Sequence, residues 1–98
     1  MRYEIEAEVW LWTGGKASWR FVTLPPEVCH GIRRLSGPRT GGWGSLRVAA
    51  TIGATTWRTS IFPDSKSGGF LLPLKAEVRQ RERIATGDVV TVAVEIEL

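Results

Sequence analysis

Apolar residues occupy every second position near the start of the chain, and this pattern predicts the first structural element. The polar side of the alternation carries Glu4, Glu6 and Glu8, and the apolar side consists of Tyr3, Ile5, Ala7, Val9 and Leu11. A period of two residues is typical of a half-buried β-strand. Gly14-Gly15 ends the pattern and predicts a hairpin turn into a second strand over residues 18–24, which are rich in aromatic and β-branched side chains.

The same alternation returns later in the chain and predicts further strands over residues 46–52, 55–62 and 70–72. A last strand follows the turn at Thr86-Gly87-Asp88. Its inward positions are Val90, Val92, Val94 and Ile96.

Two short segments between the strands have helical spacing. The first begins at Pro25-Pro26-Glu27, because proline suits the first turn of a helix, and it ends at Gly37-Pro38. Its apolar face consists of Val28, Ile32 and Leu35. The second begins at Pro73; its inward positions are Leu74 and Val78, and its outward positions are Lys75, Arg79 and Arg83.

Strands dominate these elements, and no long helix links parallel strands. We therefore predict a mainly β domain with two short helices, folded as a small antiparallel split β-barrel. The chain has 98 residues, of which 43% are hydrophobic, which leaves room for one core. Residues 1–98 are accordingly predicted to form a single domain.

Cysteine content and the first residues favour a cytoplasmic location. The single Cys29 cannot form an internal disulfide, a bond that belongs mainly to oxidising compartments. Residues 1–6 alternate with acids, unlike a signal peptide, and no apolar run approaches the about 20 residues of a membrane helix. The net charge of +3 is a mild basic excess that identifies no partner by itself.

Four stretches, taken together in this order, resemble a known family. They are Trp19-x-Phe21-Val22-x-Leu24-Pro25-x-Glu27, Trp57-x-Thr59-Ser60-x-x-Pro63, Leu72-Pro73-Leu74-Lys75-x-x-x-Arg79 and Gly87-Asp88-x-Val90-x-Val92. With this set nearly the whole chain resembles the bacterial domain-of-unknown-function family nineteen-oh-five. The resemblance implies a small split β-barrel with two helices, similar to the double-split barrels of some bacterial transcription regulators and antitoxins. It implies no established activity.

Catalytic and metal-binding chemistry have little support in the sequence. Cys29 and His30 are neighbours on a predicted helix, about 100° apart, so their side chains do not meet as a nucleophile and its base must. One histidine and one cysteine are too few for the usual zinc site. The glutamates of the first strand are interpreted as a solvated face. The sequence therefore predicts that the protein is not an enzyme and that it has no catalytic residue, metal site or cofactor.

Five tryptophans in a chain of this length are its strongest functional signal. Trp10 and Trp12 share the parity of the exposed glutamates, so a regular strand directs both outward. We expect a bulge to reverse them so that they plug a barrel end; the alternative is an exposed aromatic patch that serves as a partner surface. Trp43 lies in the glycine-rich residues 36–45, which form either a plain connection or a flap over a ligand.

Arg58, Lys75 and Arg79 carry the ligand hypothesis. Lys75 and Arg79 share one face of the second predicted helix, and Arg58 leaves the core if Trp57 enters it. These side chains are either solvated surface or, with Trp43, converge on a small anionic or aromatic ligand at a barrel mouth.

A second hypothesis is nucleic-acid binding by a dimer. The basic pI of about 9.6 and the barrel resemblance support it, whereas the acidic first and last strands oppose it. The predicted partners are thus a small molecule or a protein, with nucleic acid second and no membrane. The chain is predicted to be a monomer or a weak homodimer.

Overall fold

The computed structural model describes residues 2–28, 30–31, 45–64 and 66–97, which form seven strands and two short helices. The strands are β1 (Arg2–Glu8), β2 (Trp10–Gly14), β3 (Ala17–Leu24), β4 (Leu46–Ile52), β5 (Thr55–Pro63), β6 (Phe70–Pro73) and β7 (Val89–Ile96). The helices are α1, with helical residues 26–28 and 30–31, and α2 (Ala76–Arg81).

The seven strands form one antiparallel sheet in the order β1-β7-β4-β5-β6-β3-β2. β1 and β2 are consecutive in the chain and yet lie at opposite ends of this order. The sheet must therefore curl until its ends approach each other, and β1 contacts β3 across the remaining gap. The molecule is a curled antiparallel half-barrel with two short helices, which confirms the predicted fold class.

Alternate residues of the strands face the inside of the half-barrel and form its core. The most deeply buried side chains are Val9, Val22, Leu24, Val48, Ile61, Phe70, Leu72, Val92 and Val94. Successive side chains on a strand point to opposite faces of the sheet, so the strand residues next to a buried one face outward. The inward positions predicted for β7 are confirmed: Val92, Val94 and Ile96 are buried and Val90 packs against the core. Trp57 of β5 is buried as well.

The first predicted strand is interrupted at Val9. The N–H of Val9 donates to the carbonyl of Asp88 at 2.8 Å, and its carbonyl accepts from the N–H of Gly87 at 2.7 Å. These bonds tie the chain to the turn before β7, after which β2 pairs with β3 instead. The expectation that Leu11 faces the core is wrong, because it lies beyond this break and is 44% exposed.

The second helix begins later than predicted. Pro73 is the last residue of β6, where it pairs with Phe21, and α2 starts at Ala76. The N–H of Leu74 continues the ladder by donating to the carbonyl of Arg20 at 2.8 Å, which delays the helix. Leu74 and Val78 are buried as predicted.

Part of the first predicted helix lies outside the described residues. Helical residues are observed at 26–28 and 30–31, and Val28 packs against the core. Ile32, Leu35 and the loop that holds Trp43 are among the residues not described. Within the described part of the chain, no helix is long and apolar enough to cross a membrane.

Candidate functional site

The outer face of one half of the sheet carries an apolar groove. It has a volume of about 380 Å³ and is lined by Trp12, Trp19, Phe21, Phe62, Leu71 and Pro73, which we call the aromatic groove. Four strands contribute to it, and the pairing of these strands decides which side chains meet. Trp12 lies opposite Trp19, Phe21 opposite Pro73, and Phe62 opposite Leu71.

Ring contacts hold one wall of the aromatic groove in place. The Phe21 ring lies 5.3 Å from that of Trp10 and 6.3 Å from that of Trp19, centroid to centroid, and is nearly parallel to the latter with an interplanar angle of 13°. The Nε1–H of Trp10 donates to Oγ1 of Thr23 at 2.9 Å. These contacts hold the rings of Trp10, on β2, and of Phe21 and Trp19, on β3, together on one face of the sheet.

The expectation that Trp10 and Trp12 plug a barrel end is wrong. Trp12 is 45% exposed in the aromatic groove, and Trp10 is half-buried against Phe21 on the same outer face. The break at Val9 separates β1 from β2 without turning the two indoles inward. The alternative, an exposed aromatic patch, describes their position, and a partner for that patch stays a prediction.

A second concavity adjoins the groove where β3 runs past the end of β6. It measures about 210 Å³ and is lined by Ser18, Trp19, Arg20, Pro73, Leu74, Lys75, Ala76 and Arg79; we call it the basic cleft. β6 ends at Pro73, whereas β3 extends on to Ala17, so the start of α2 occupies the place that a longer β6 would fill. This arrangement brings cations from a strand and a helix to one site.

Each cation of the basic cleft is held by a neutral oxygen. Arg79 Nε donates to the carbonyl of Leu74 at 3.2 Å. Lys75 Nζ donates to the carbonyl of Arg58 at 3.4 Å. Arg20 reaches Oγ1 of Thr86 through Nε at 3.4 Å and Oγ of Ser18 through Nη1 at 3.3 Å.

No ion pair joins these three cations to a carboxylate of the described residues. Arginines nearby behave differently. Arg81, on the same helix, contacts Glu77 at 3.0 Å, and Arg58 contacts Glu97 at 3.3 Å. The positive charge of the basic cleft is therefore not neutralised by the acids described around it.

The structure brings together two of the four residues predicted for a ligand site. Lys75 and Arg79 both line the basic cleft. Arg58 does not line it, because its guanidinium turns to Glu97 and only its carbonyl meets Lys75. Trp43 lies outside the described residues.

The sequence alone does not identify Arg20 as a site residue. It also does not identify the aromatic side chains of Trp19, Phe21 and Phe62 as part of the site. The alternation of β3 around Val22 and Leu24 contained part of the signal: it places Trp19 and Phe21 outward, and it places Arg20 on the inward face beyond the buried residues. Phe62 likewise has the parity opposite to Ile61. The alternation along each strand does not show which strands become neighbours in the sheet.

No group of three or more His, Cys, Asp or Glu side chains is placed among the described residues to hold a metal ion. Glu4, Glu6 and Glu8 lie exposed along β1. The pKa of Asp64 is lowered chiefly by a hydrogen bond from the Ser67 hydroxyl at 2.8 Å, within the turn that joins β5 to β6.

Together, the fold and the site define a small antiparallel half-barrel that carries an aromatic groove and an adjoining basic cleft. Residues 6–94 match the family described as Domain of unknown function (DUF1905). The chain belongs to this family, which confirms the resemblance found in the sequence. No curated protein matches the chain.

Proposed function

We propose that this domain is a binding module, and not an enzyme, whose basic cleft binds the anionic group of a small ligand. The observation that carries the proposal is that Arg20, Lys75 and Arg79 surround one concavity of about 210 Å³ without an ion pair to any carboxylate in the described part of the chain. Like charges gathered without counter-charges repel one another, and an anion in their midst relieves that repulsion.

Arg79 is the residue best prepared to bind an anion. It is half-buried, and its Nε–H is already engaged by the carbonyl of Leu74. The anchored Nε fixes the plane of the guanidinium and leaves its two terminal nitrogens to bind two oxygens of a carboxylate or phosphate side by side. Arg20 is also half-buried, so two of the three cations lose little freedom when a ligand arrives.

A location in the bacterial cytoplasm is part of this proposal. Its support is the single Cys29 of the sequence, which suits a reducing compartment, together with the resemblance to a bacterial family. Soluble metabolites that carry carboxylate or phosphate groups are the ligands such a module would meet.

The test is titration calorimetry with inorganic phosphate as the probe, on the wild type and on two matched variants. Arg79→Gln removes a cation of the basic cleft, and Arg81→Gln removes the paired cation two residues further along α2. We expect wild type and Arg81→Gln to bind phosphate alike and Arg79→Gln to lose about tenfold or more in affinity, because a hydrogen bond to a charged group contributes about 1.5–3 kcal/mol. Equal binding by all three, or no binding by any, contradicts the proposal.

Single-stranded nucleic acid is the second candidate, and the exposed aromatics favour it. Trp12 and Trp19 are 45% and 51% exposed, and Trp19 borders both the groove and the basic cleft. Stacking of bases on aromatic rings beside phosphate-binding cations is how such strands are bound. This candidate, acting as a dimer, predicts that affinity for an oligothymidylate falls steeply with salt concentration and that the complex contains two chains. A salt-independent affinity or a monomeric complex excludes it.

A further inference from the structure

We propose that the ligand of the basic cleft is amphipathic, with one anionic head group and an uncharged apolar body that lies in the aromatic groove. This inference rests on the proposed function, since the head group is the anion that the basic cleft binds. It adds the chemistry of the remainder of the ligand and assigns a place to it.

The two concavities share walls. Trp19 and Pro73 line both the basic cleft and the aromatic groove. Both residues lie where β6 ends and β3 extends beyond it. A ligand whose head group is bound at Arg79 and whose body extends past these two residues therefore enters the groove. Their volumes, about 210 and 380 Å³, together fall in the range of about 300–1,000 Å³ that small-molecule sites occupy.

The lining of the groove specifies an apolar body. All six lining side chains are apolar or aromatic, and none carries a carboxylate, amide, hydroxyl or ammonium group. The Nε1–H of Trp10 behind this wall already donates to Thr23. A polar or charged body would find few partners here, whereas an alkyl or aryl body would remove exposed surface of Trp12, Trp19 and Phe62 from water.

The charge pattern orients the ligand. The three cations lie at the cleft end, and among the residues that the structure describes no carboxylate lines either concavity. The anionic head is therefore attracted to one end only, and the apolar body is favoured at the other. An anion without such a body, such as phosphate, uses half of the site.

A homologous series of straight-chain carboxylates, from acetate to octanoate, tests the inference by calorimetry. Each methylene that enters the groove should raise the affinity by about three- to fourfold until the groove is filled. Trp12 lines the groove and not the basic cleft, so its indole ¹⁵N–¹H resonance should shift with octanoate and stay unchanged with acetate, because only the longer chain reaches the groove.

Two matched variants locate the apolar body. Phe62→Ser removes a groove wall that is 41% exposed, and Val89→Ser removes an apolar side chain that is 66% exposed and lies outside the groove. We expect Phe62→Ser to weaken octanoate by about fivefold or more while acetate binds unchanged, and Val89→Ser to bind both as the wild type does. A Phe62→Ser protein that fails to fold is replaced by Phe62→Leu, for which the same ranking with a smaller loss is expected.

The outcomes separate this inference from the proposed function. If acetate and octanoate bind with equal affinity and both depend on Arg79, the basic cleft binds anions and the amphipathic ligand is wrong. If octanol binds as well as octanoate, the groove acts without the cations and this inference is overturned, while the proposed function is decided by whether phosphate binding depends on Arg79. If octanoate fails to bind a protein that binds phosphate, the inference alone is overturned.

Discussion

Arg79 donates its Nε–H to the carbonyl oxygen of Leu74, five residues earlier, at a distance of 3.2 Å. Leu74 is itself fixed, because its side chain is buried and its N–H donates to the carbonyl of Arg20. A side-chain-to-backbone bond and a backbone bond thus connect the guanidinium of Arg79 on α2 to the main chain of Arg20 on β3.

Because the guanidinium of Arg79 is held in one orientation, we expect that a positive charge alone at this position does not suffice for tight anion binding. Arg79→Lys keeps the charge but removes the two-nitrogen fork, so we expect its affinity for phosphate to fall about tenfold, equivalent to about 1.4 kcal/mol. Calorimetry measures the change, and Arg81→Lys serves as the control that should bind like the wild type. Unchanged binding by Arg79→Lys would show that the orientation at Leu74 is irrelevant.

Truncating a side chain on the inner face of β6 should lower the free energy of unfolding more than truncating one on its outer face. Leu72 is fully buried in the core, whereas Leu71 lines the aromatic groove. We expect Leu72→Ala to lower the free energy of unfolding by about 2–5 kcal/mol, since it leaves a cavity. Leu71→Ala should lower it by about 1 kcal/mol or less, because its side chain is only half-buried. Denaturant unfolding measures both, and similar losses would contradict the assignment of the faces.

Gly53 should tolerate alanine less well than Gly15 does. Both have positive φ, 56° and 59°, so alanine costs each about 1–2 kcal/mol through backbone strain. At Gly53 a Cβ would also collide with Oε1 of Glu82, whereas at Gly15 it meets nothing within 4 Å. Glu82 accepts a hydrogen bond from the Thr55 hydroxyl at 2.7 Å.

Displacing that carboxylate should therefore add about 1–2 kcal/mol to the loss in Gly53→Ala. Thermal or denaturant unfolding of the two alanine variants, compared side by side, isolates this contact. Equal losses would mean that Glu82 swings aside without cost.

The Trp10–Thr23 hydrogen bond should contribute measurably to stability. Thr23→Val removes the acceptor and leaves the half-buried Nε1–H of Trp10 without it, so we expect a loss of about 1 kcal/mol in unfolding free energy. Thr91→Val, at an exposed position of β7, is the matched control and should be neutral. The indole ¹⁵N–¹H resonance of Trp10 should move in the first variant only.

The lowered pKa of Asp64, in the turn that joins β5 to β6, predicts that the stability of the protein depends on pH. Its pKa is lowered mainly by the Ser67 hydroxyl, with further hydrogen bonds from the N–H groups of Lys66 and Ser67. A lowered pKa in the folded state means that Asp64 adds stability above its unfolded pKa of about 3.9 and loses that contribution as the pH falls through the folded value.

Ser67→Ala should move the pKa of Asp64 upward, towards its ordinary value, and shrink the acid-dependent part of the stability. An NMR titration of the Asp64 carboxyl measures the pKa directly. Because the turn sets the pairing of Phe62 with Leu71, the resonances of those two residues should follow the same titration. A carboxyl pKa that Ser67→Ala leaves unchanged would show that the hydroxyl is not its cause.

The candidate site was only partly predictable, for reasons visible in particular residues. Lys75 and Arg79 were found because their four-residue spacing on one helix is a local property. The parity of Arg58 relative to Trp57 is also a local property and predicts an outward side chain, but its guanidinium lies with Glu97, 39 positions further along the chain. Arg20 joins the cleft only because β6 stops short of it.

By itself, the sequence determined that the chain is a mainly antiparallel β domain with two short helices. It also determined most of the residues that its strands bury, and it indicated the family. These follow from the alternation of side chains along each strand, which is set by neighbouring residues alone. Tertiary structure decided that the chain breaks at Val9, that Trp12 lies in a groove, and that Arg20, Lys75 and Arg79 meet. Each of these depends on which strands pair and where a strand ends, and such pairing is set by contacts between residues far apart in the chain.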